Sequence, residues 1–241
     1  MTLEHWFPTS IGVELLDPPS KVQDRMIDYV DKFYNKNKDY PGHCLTGDVV
    51  EDYKLHHNPI FSWLNSQVYN QVKKYLEDLG ADTSTLNIYA TKAWPVVIKN
   101  GGGINYHKHQ NSSLNAIYYL TSGGEGGQIQ FQVTHSELNF LPFNFKEPNI
   151  NQFSFTRCDY PPIPNRMLIF PSSLQHAVVP YIGDTPRYSI SYDIMITMKR
   201  NSHMEYSIPD PSEWKNFNIE ILSLDFYLIF FYNLKVTIPK Q

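Results

Sequence analysis

The chain has 241 residues, of which 41% are hydrophobic and 18% charged, and a net charge of −4. This is enough for one domain with a proper core, or a core plus a helical flank, and it excludes a disordered chain. The mild negative charge also argues against nucleic acid or an anionic membrane as a partner held by bulk electrostatics. The 17 Tyr and 14 Phe, with Pro outnumbering Gly, suit a β-rich fold of many short strands and turns. Cys44 and Cys158 stand far apart without a CxxC partner, which gives no disulfide framework and no thiolate metal site. The first residues lack a basic stretch followed by an apolar one, so the expected location is cytoplasmic.

Residues 20–37 read as a helix, with Ser20 as its cap and Val22, Met26, Ile27, Val30 and Phe33 at helical spacing. Residues 59–79 read as a second. Asn58 suits its N-cap, Pro59 its first position and Gly80 the residue past its end, and its apolar stripe runs from Ile60 to Leu79.

Both helices need a surface to cover, and the chain then changes character. β-type runs follow at Leu86–Ile98, Leu114–Leu120, Gln128–Val133, Arg166–Phe170 and Arg187–Met198, separated by Gly- and Pro-rich turns. Helices first and strands afterwards predict an α+β, mainly β fold: two helices backing an antiparallel sandwich or barrel. The expected organisation is a single domain over 1–241. Residues 1–84 form the helical flank, 85–200 the β core and 201–241 a tail. The tail is apolar from Phe217 onward, but charged residues interrupt it before it reaches spanning length. A final strand or helix packed on the core, or a homodimer contact, is the expectation for it.

The segment Asn105-Tyr106-His107-Lys108-His109 carries the first chemical signal. In a strand, His107 and His109 project to one face, roughly 7 Å apart at their backbones, and can offer two imidazoles to one metal. A bare HxH is common, and hydrogen bonding in a surface strand explains it equally well. A second segment, Arg166 to His176, is an apolar strand running through a Pro-containing turn into a third histidine. Eleven residues later Arg187 opens a strand on which Arg187, Ser189, Ser191 and Asp193 share a face. Three imidazoles can hold a divalent iron on one side and leave other positions open for a 2-oxo acid and O2. A guanidinium fork with a neighbouring hydroxyl suits a remote carboxylate.

In their order and spacing, HKHQNSSLNAIYYL, GGQIQFQ, RMLIFPSSLQH and RYSISYD resemble the 2-oxoglutarate/Fe(II) oxygenases of bacteria and phages, relatives of the prolyl hydroxylases. The family pattern runs roughly HxHPNSxLSGxYYL, FPSxLxH, RxSxSFN, and the resemblance spans about residues 85–198. It implies a double-stranded β-helix (jelly roll) core, Fe(II) as metal and 2-oxoglutarate as cosubstrate, in a bacterial or phage-infected cell. It also implies His107 and His176 as metal ligands, and Arg187, helped by Ser189, as the partner of the 2-oxoglutarate C5 carboxylate. Tyr119 reaches the same carboxylate, and Asn115 shares its strand face.

His109 falls where prolyl hydroxylases place the Asp of their HxD motif. It is either the third ligand or a residue that touches a ligand. Other departures are Gln110 for Pro, Asn115-Ala116 for Ser-Gly, and Asp193 for the terminal Asn. The implied activity is hydroxylation of an unidentified small-molecule or peptide substrate, with 2-oxoglutarate and O2 converted to succinate and CO2. Two rivals remain at this level. One is a cupin-type three-histidine metalloenzyme, which leaves Arg187 without a role. The other is a non-enzymatic jelly-roll binding or structural protein of phage type, which gives Arg187 no reason to point inward.

Overall fold

A computed structural model describes residues 8–133, 157–199 and 208–217. Met1–Ile196 forms one compact unit and Thr197–Gln241 a second. The apolar tail beyond Phe217 and residues 134–156 lie outside the described residues.

Two helices precede most of the strands, as the periodicity predicts. α1 spans Ser20–Lys36 and buries Met26, Val30 and Phe33. Its N-cap is Pro19 and no side chain caps it, so Ser20 begins the helix instead of capping it. The second helix is entered through a 3-10 turn at Pro59–Phe61, where the Asn58 side chain accepts a hydrogen bond from the Ile60 N–H at 3.0 Å. Regular α-helix, α2, follows over Ser62–Asp78. Its buried stripe is Leu64, Val68, Val72, Tyr75 and Leu76, whereas Leu79 lies past the last turn and is exposed.

The strands among the described residues are, in chain order, β1 Gly12–Leu15, β2 Cys44–Thr46, β3 Leu86–Ile98, β4 Ile104–His107, β5 Leu114–Tyr119, β6 Glu125–Gly126, β7 Ile129–Gln132, β8 Arg157–Tyr160, β9 Arg166–Pro171, β10 Gln175–Val178, β11 Tyr181–Ile182 and β12 Arg187–Met198. They form a six-stranded sheet, order β1-β9-β5-β12-β3-β2, and a four-stranded sheet, order β4-β10-β7-β8, with β11 and β6 as a separate pair. The registered pairings are antiparallel throughout. This is the mainly β architecture expected, with the helices backing the larger sheet.

The period of two along the central strands divides the larger sheet into two faces. On one, Ala116, Tyr118, Met167, Ile169, Tyr188, Ile190, Tyr192 and Ile194 pack with the buried stripes of α1 and α2. On the other, Leu168, Phe170 and Tyr119 pack with Ile129 and Phe131 of the smaller sheet, and Trp94, Val96 and Ile98 with Val178 and Tyr181. The functional residues occupy this second face. β12 is buried over nearly its whole length because it is covered on both sides.

Candidate active site

The three histidines meet at the edge of the smaller sheet. His107 ends β4 and His176 lies on β10, and the two are directly opposed in the antiparallel register. His109 is not on the strand with His107. It lies in the loop beyond β4, where its N–H donates to the Ser172 carbonyl at 3.0 Å, just past the end of β9. The shared strand face expected from the HxH spacing is therefore corrected: a loop held to Ser172 returns the third ring. Lys108 is exposed.

One ring nitrogen from each of His107, His109 and His176 lies within 4.8 Å of the others. Each Nδ1 is already engaged. His107 donates to the Asn105 carbonyl at 2.8 Å and His176 to the Leu174 carbonyl at 2.9 Å, while His109 faces Asp193 Oδ1 at 2.8 Å. Hydrogen bonding at Nδ1 fixes the tautomer that leaves the Nε2 lone pair for a metal. Burial lowers the pKa of His107 and pushes that of His176 down to about 3, so the ring is neutral and ligand-competent at physiological pH. Phe131 and Phe170 pack near His176, and Trp94 stacks on His109 with centroids 5.9 Å apart.

The histidines line a cavity of about 210 Å³ that is also lined by Asn115, Tyr119, Arg187, Ser189 and Ser191. The face predicted for β12 and that predicted for β5 thus open into one space. Tyr119 lies opposite Ser189 in the register, and Asn115 opposite Asp193. Arg187 is 2% exposed, yet no carboxylate pairs with it among the described residues. It donates through Nη1 to the Gly127 carbonyl, its Nη2 is 3.5 Å from Ser189 Oγ, and its Nε has no partner. Its Cζ stands 5.3 Å from the centre of the Tyr119 ring. A buried cation costs several kcal/mol unless an anion compensates it, so this arrangement is built to receive one.

Gly127 belongs to this wall. Its φ is +66°, and a Cβ there would lie 3.1 Å from the Tyr181 ring and 3.6 Å from Arg187 Cδ. The glycine run before β7 carried this signal in the sequence without a role attached. Asn115 is turned to protein partners: both amide hydrogens are taken, by the Tyr192 carbonyl at 3.2 Å and Asp193 Oδ1 at 2.6 Å.

The donor set fits the group that the motifs imply. Three imidazoles suit a divalent iron, and the unpaired guanidinium suits a dicarboxylate reaching it from one end.

Residues 92–193 match the model of the family described as "Putative 2OG-Fe(II) oxygenase". No curated protein matches the chain. Among solved structures, the chain is similar to a prolyl hydroxylase from Trichoplax adhaerens in complex with a peptide fragment of the hypoxia inducible factor oxygen degradation domain. Identity there is 15% and the TM-score 0.51, over 77% of this chain and 83% of that one. A Pseudomonas putida prolyl-4-hydroxylase gives 10% identity and a TM-score of 0.48, over 78% and 93%. An oxidoreductase of the 2OG-Fe(II) oxygenase family from Burkholderia pseudomallei gives 11% and 0.41, over 56% of this chain and 57% of that one. The Trichoplax likeness is one of fold, the jelly-roll core of a double-stranded β-helix. The family match is confined to residues 92–193, the segment that carries all three histidines, and the class it points to is that of the 2-oxoglutarate/Fe(II) oxygenases. Fe(II) and 2-oxoglutarate are the cofactors of that class.

Proposed function

We propose that the protein is an Fe(II)/2-oxoglutarate-dependent dioxygenase that hydroxylates a small-molecule or peptide substrate, with His107, His109 and His176 as the three iron ligands. Arg187 receives the C5 carboxylate of 2-oxoglutarate, with Ser189 and the Tyr119 hydroxyl beside it. When bound, iron and 2-oxoglutarate together activate O2 for oxidation of a substrate C–H bond, releasing succinate and CO2.

The single observation that carries this reading is Arg187, a buried guanidinium without a carboxylate partner among the described residues, in the cavity that the histidines line. A cupin-type metalloenzyme or a jelly-roll structural protein has no use for that cation. The side chains of this chain do three things here. The backbone carbonyls behind His107 and His176 hold their rings with Nε2 forward. The Arg187 fork orients the cosubstrate by its far end, so that its 2-oxo acid end is presented to the metal. Phe170, Ile129, Val96 and Trp94 keep the cavity wall apolar and exclude water from the reacting groups.

Asn115, expected beside the cosubstrate, lines the cavity; both its amide hydrogens are spent on Tyr192 and Asp193, and its buried Oδ1 is left without a partner among the described residues. No helix among the described residues is long and apolar enough to cross a membrane, and a cytoplasmic location remains our reading. Thr46, Asp48 and Trp94 also line the cavity and are the residues past which we bring the substrate. The test is succinate formation by iron-loaded protein under O2. Turnover of 2-oxoglutarate that falls sharply in Arg187→Met supports the assignment, and no succinate above background from folded, iron-loaded protein would sink it.

A further inference from the structure

The charge of the site differs from that of the HxD pattern. Two imidazoles and a carboxylate around Fe(II) leave a net charge of +1, whereas three neutral imidazoles leave +2. Asp193 stands behind the substituted position. Its Oδ1 lies 2.8 Å from His109 Nδ1 and accepts from Asn115 Nδ2 at 2.6 Å, and the residue is only 7% exposed.

Four further contacts fix this pair. Asn115 opposes Asp193 in the β5–β12 register, and Thr91 Oγ1 donates to the Asp193 carbonyl at 3.2 Å. Trp94 covers one side of the His109 ring at an interplanar angle of 23°, and the His109 N–H is tied to Ser172. The carboxylate is therefore buried and held on Nδ1 of the His109 ring, which leaves Nε2 as the nitrogen available to a metal.

We propose that Asp193 is a positioning residue that restores, through the His109 ring, the negative charge missing from the ligand set. It holds His109 with Nε2 toward the metal and makes that imidazole a more basic donor. Asn115 holds the carboxylate in line. The inference rests on the proposed function, since it assumes that His109 ligates iron.

The test compares Asp193→Asn, Asp193→Ala and the double variant His109→Asp/Asp193→Asn with the wild type. The measurements are anaerobic Fe(II) titration, the Fe(III)/Fe(II) potential and thermal unfolding of the metal-free proteins. Asp193→Asn is expected to weaken Fe(II) binding by about 10- to 100-fold. Its potential rises, because a negative charge that favours the ferric state is gone, and Asp193→Ala does both at least as strongly. In the double variant, where a carboxylate ligates directly, Fe(II) affinity recovers relative to Asp193→Asn alone. A residue with only a structural role would lower the unfolding temperature without moving the potential and without rescue by His109→Asp. Wild-type iron binding and potential that persist unchanged in Asp193→Asn overturn this inference and leave the proposed function standing. A folded wild type that binds no Fe(II) overturns both.

Discussion

The two faces of β5 and β12 are built from the same strands but solve opposite problems. On the helix-covered face, polar atoms find protein partners: the hydroxyls of Tyr118, Tyr188 and Tyr192 donate to Gln23, Asp31 and Asn65 of α1 and α2 at 3.1, 2.6 and 2.9 Å. On the cavity face, Arg187 Nε and Asn115 Oδ1 are buried without a partner among the described residues. Buried polar groups in a stable fold are almost all paired, so an unpaired guanidinium N–H on a cavity wall is placed where a ligand can complete it. One face holds the fold and the other gives up stability for binding.

Substitutions on the two faces should therefore separate stability from ligand affinity. The largest effect belongs to His176→Ala, which leaves a folded protein whose Fe(II) binding is lost in an anaerobic titration and whose succinate formation falls at least about 100-fold. Arg187→Met should weaken 2-oxoglutarate binding by about 2–5 kcal/mol, at least about 30-fold, because a buried charge partner is removed. In the ligand-free protein the same change should leave the unfolding temperature level or higher, since an uncompensated buried cation is gone. Ile190→Ala, on the other face of the same strand and fully buried, reverses the pattern. It should cost about 2–5 kcal/mol in denaturant unfolding and leave the affinity of the folded protein for 2-oxoglutarate unchanged. A loss of cosubstrate affinity in Ile190→Ala comparable to that in Arg187→Met would erase the distinction between the faces.

Acid should act through the cavity face as well. His176 has a folded pKa of about 3, below its ordinary value near 6.5. Between those values the unfolded chain binds a proton that the folded one refuses, so metal-free stability falls as pH drops through that window, by at most about 1.4 kcal/mol per pH unit. Denaturant midpoints from pH 7 to 4 measure this, and His176→Gln should flatten the slope. The smallest effect lies outside the site: Asn58→Ala removes the cap at the start of the Pro59 turn for about 1 kcal/mol of stability, with iron and cosubstrate binding unchanged.

Much of this was legible in the residues. The bounds of β3 and β12 follow from long apolar or alternating runs, and both helices declare themselves by period. Alternation alone puts Asn115 and Tyr119 on one face of β5 and Arg187 and Ser189 on one face of β12, whereas bringing the two pairs together rested on the family resemblance. β1, β2, β4 and β10 could not be read, because strands of three or four residues owe their identity to a neighbour and carry too little pattern of their own. For the same reason His109 looked like a strand residue, when its position depends on Ser172, far away in sequence. Asp193 was visible as a departure from a motif, but its partner is 84 residues away, and no local spacing points to it. The Ser20 cap failed because Pro19 took the capping position and Ser20 entered the first turn.

The most direct test of the central claim is an anaerobic titration of the metal-free protein with Fe(II) and then 2-oxoglutarate, followed in the visible range. The account predicts a metal-to-ligand charge-transfer band in the wild type that needs both additions, vanishes in His176→Ala and requires far more 2-oxoglutarate in Arg187→Met. A folded wild type with no band, or a band that forms in Arg187→Met at the wild-type concentration of 2-oxoglutarate, would contradict it.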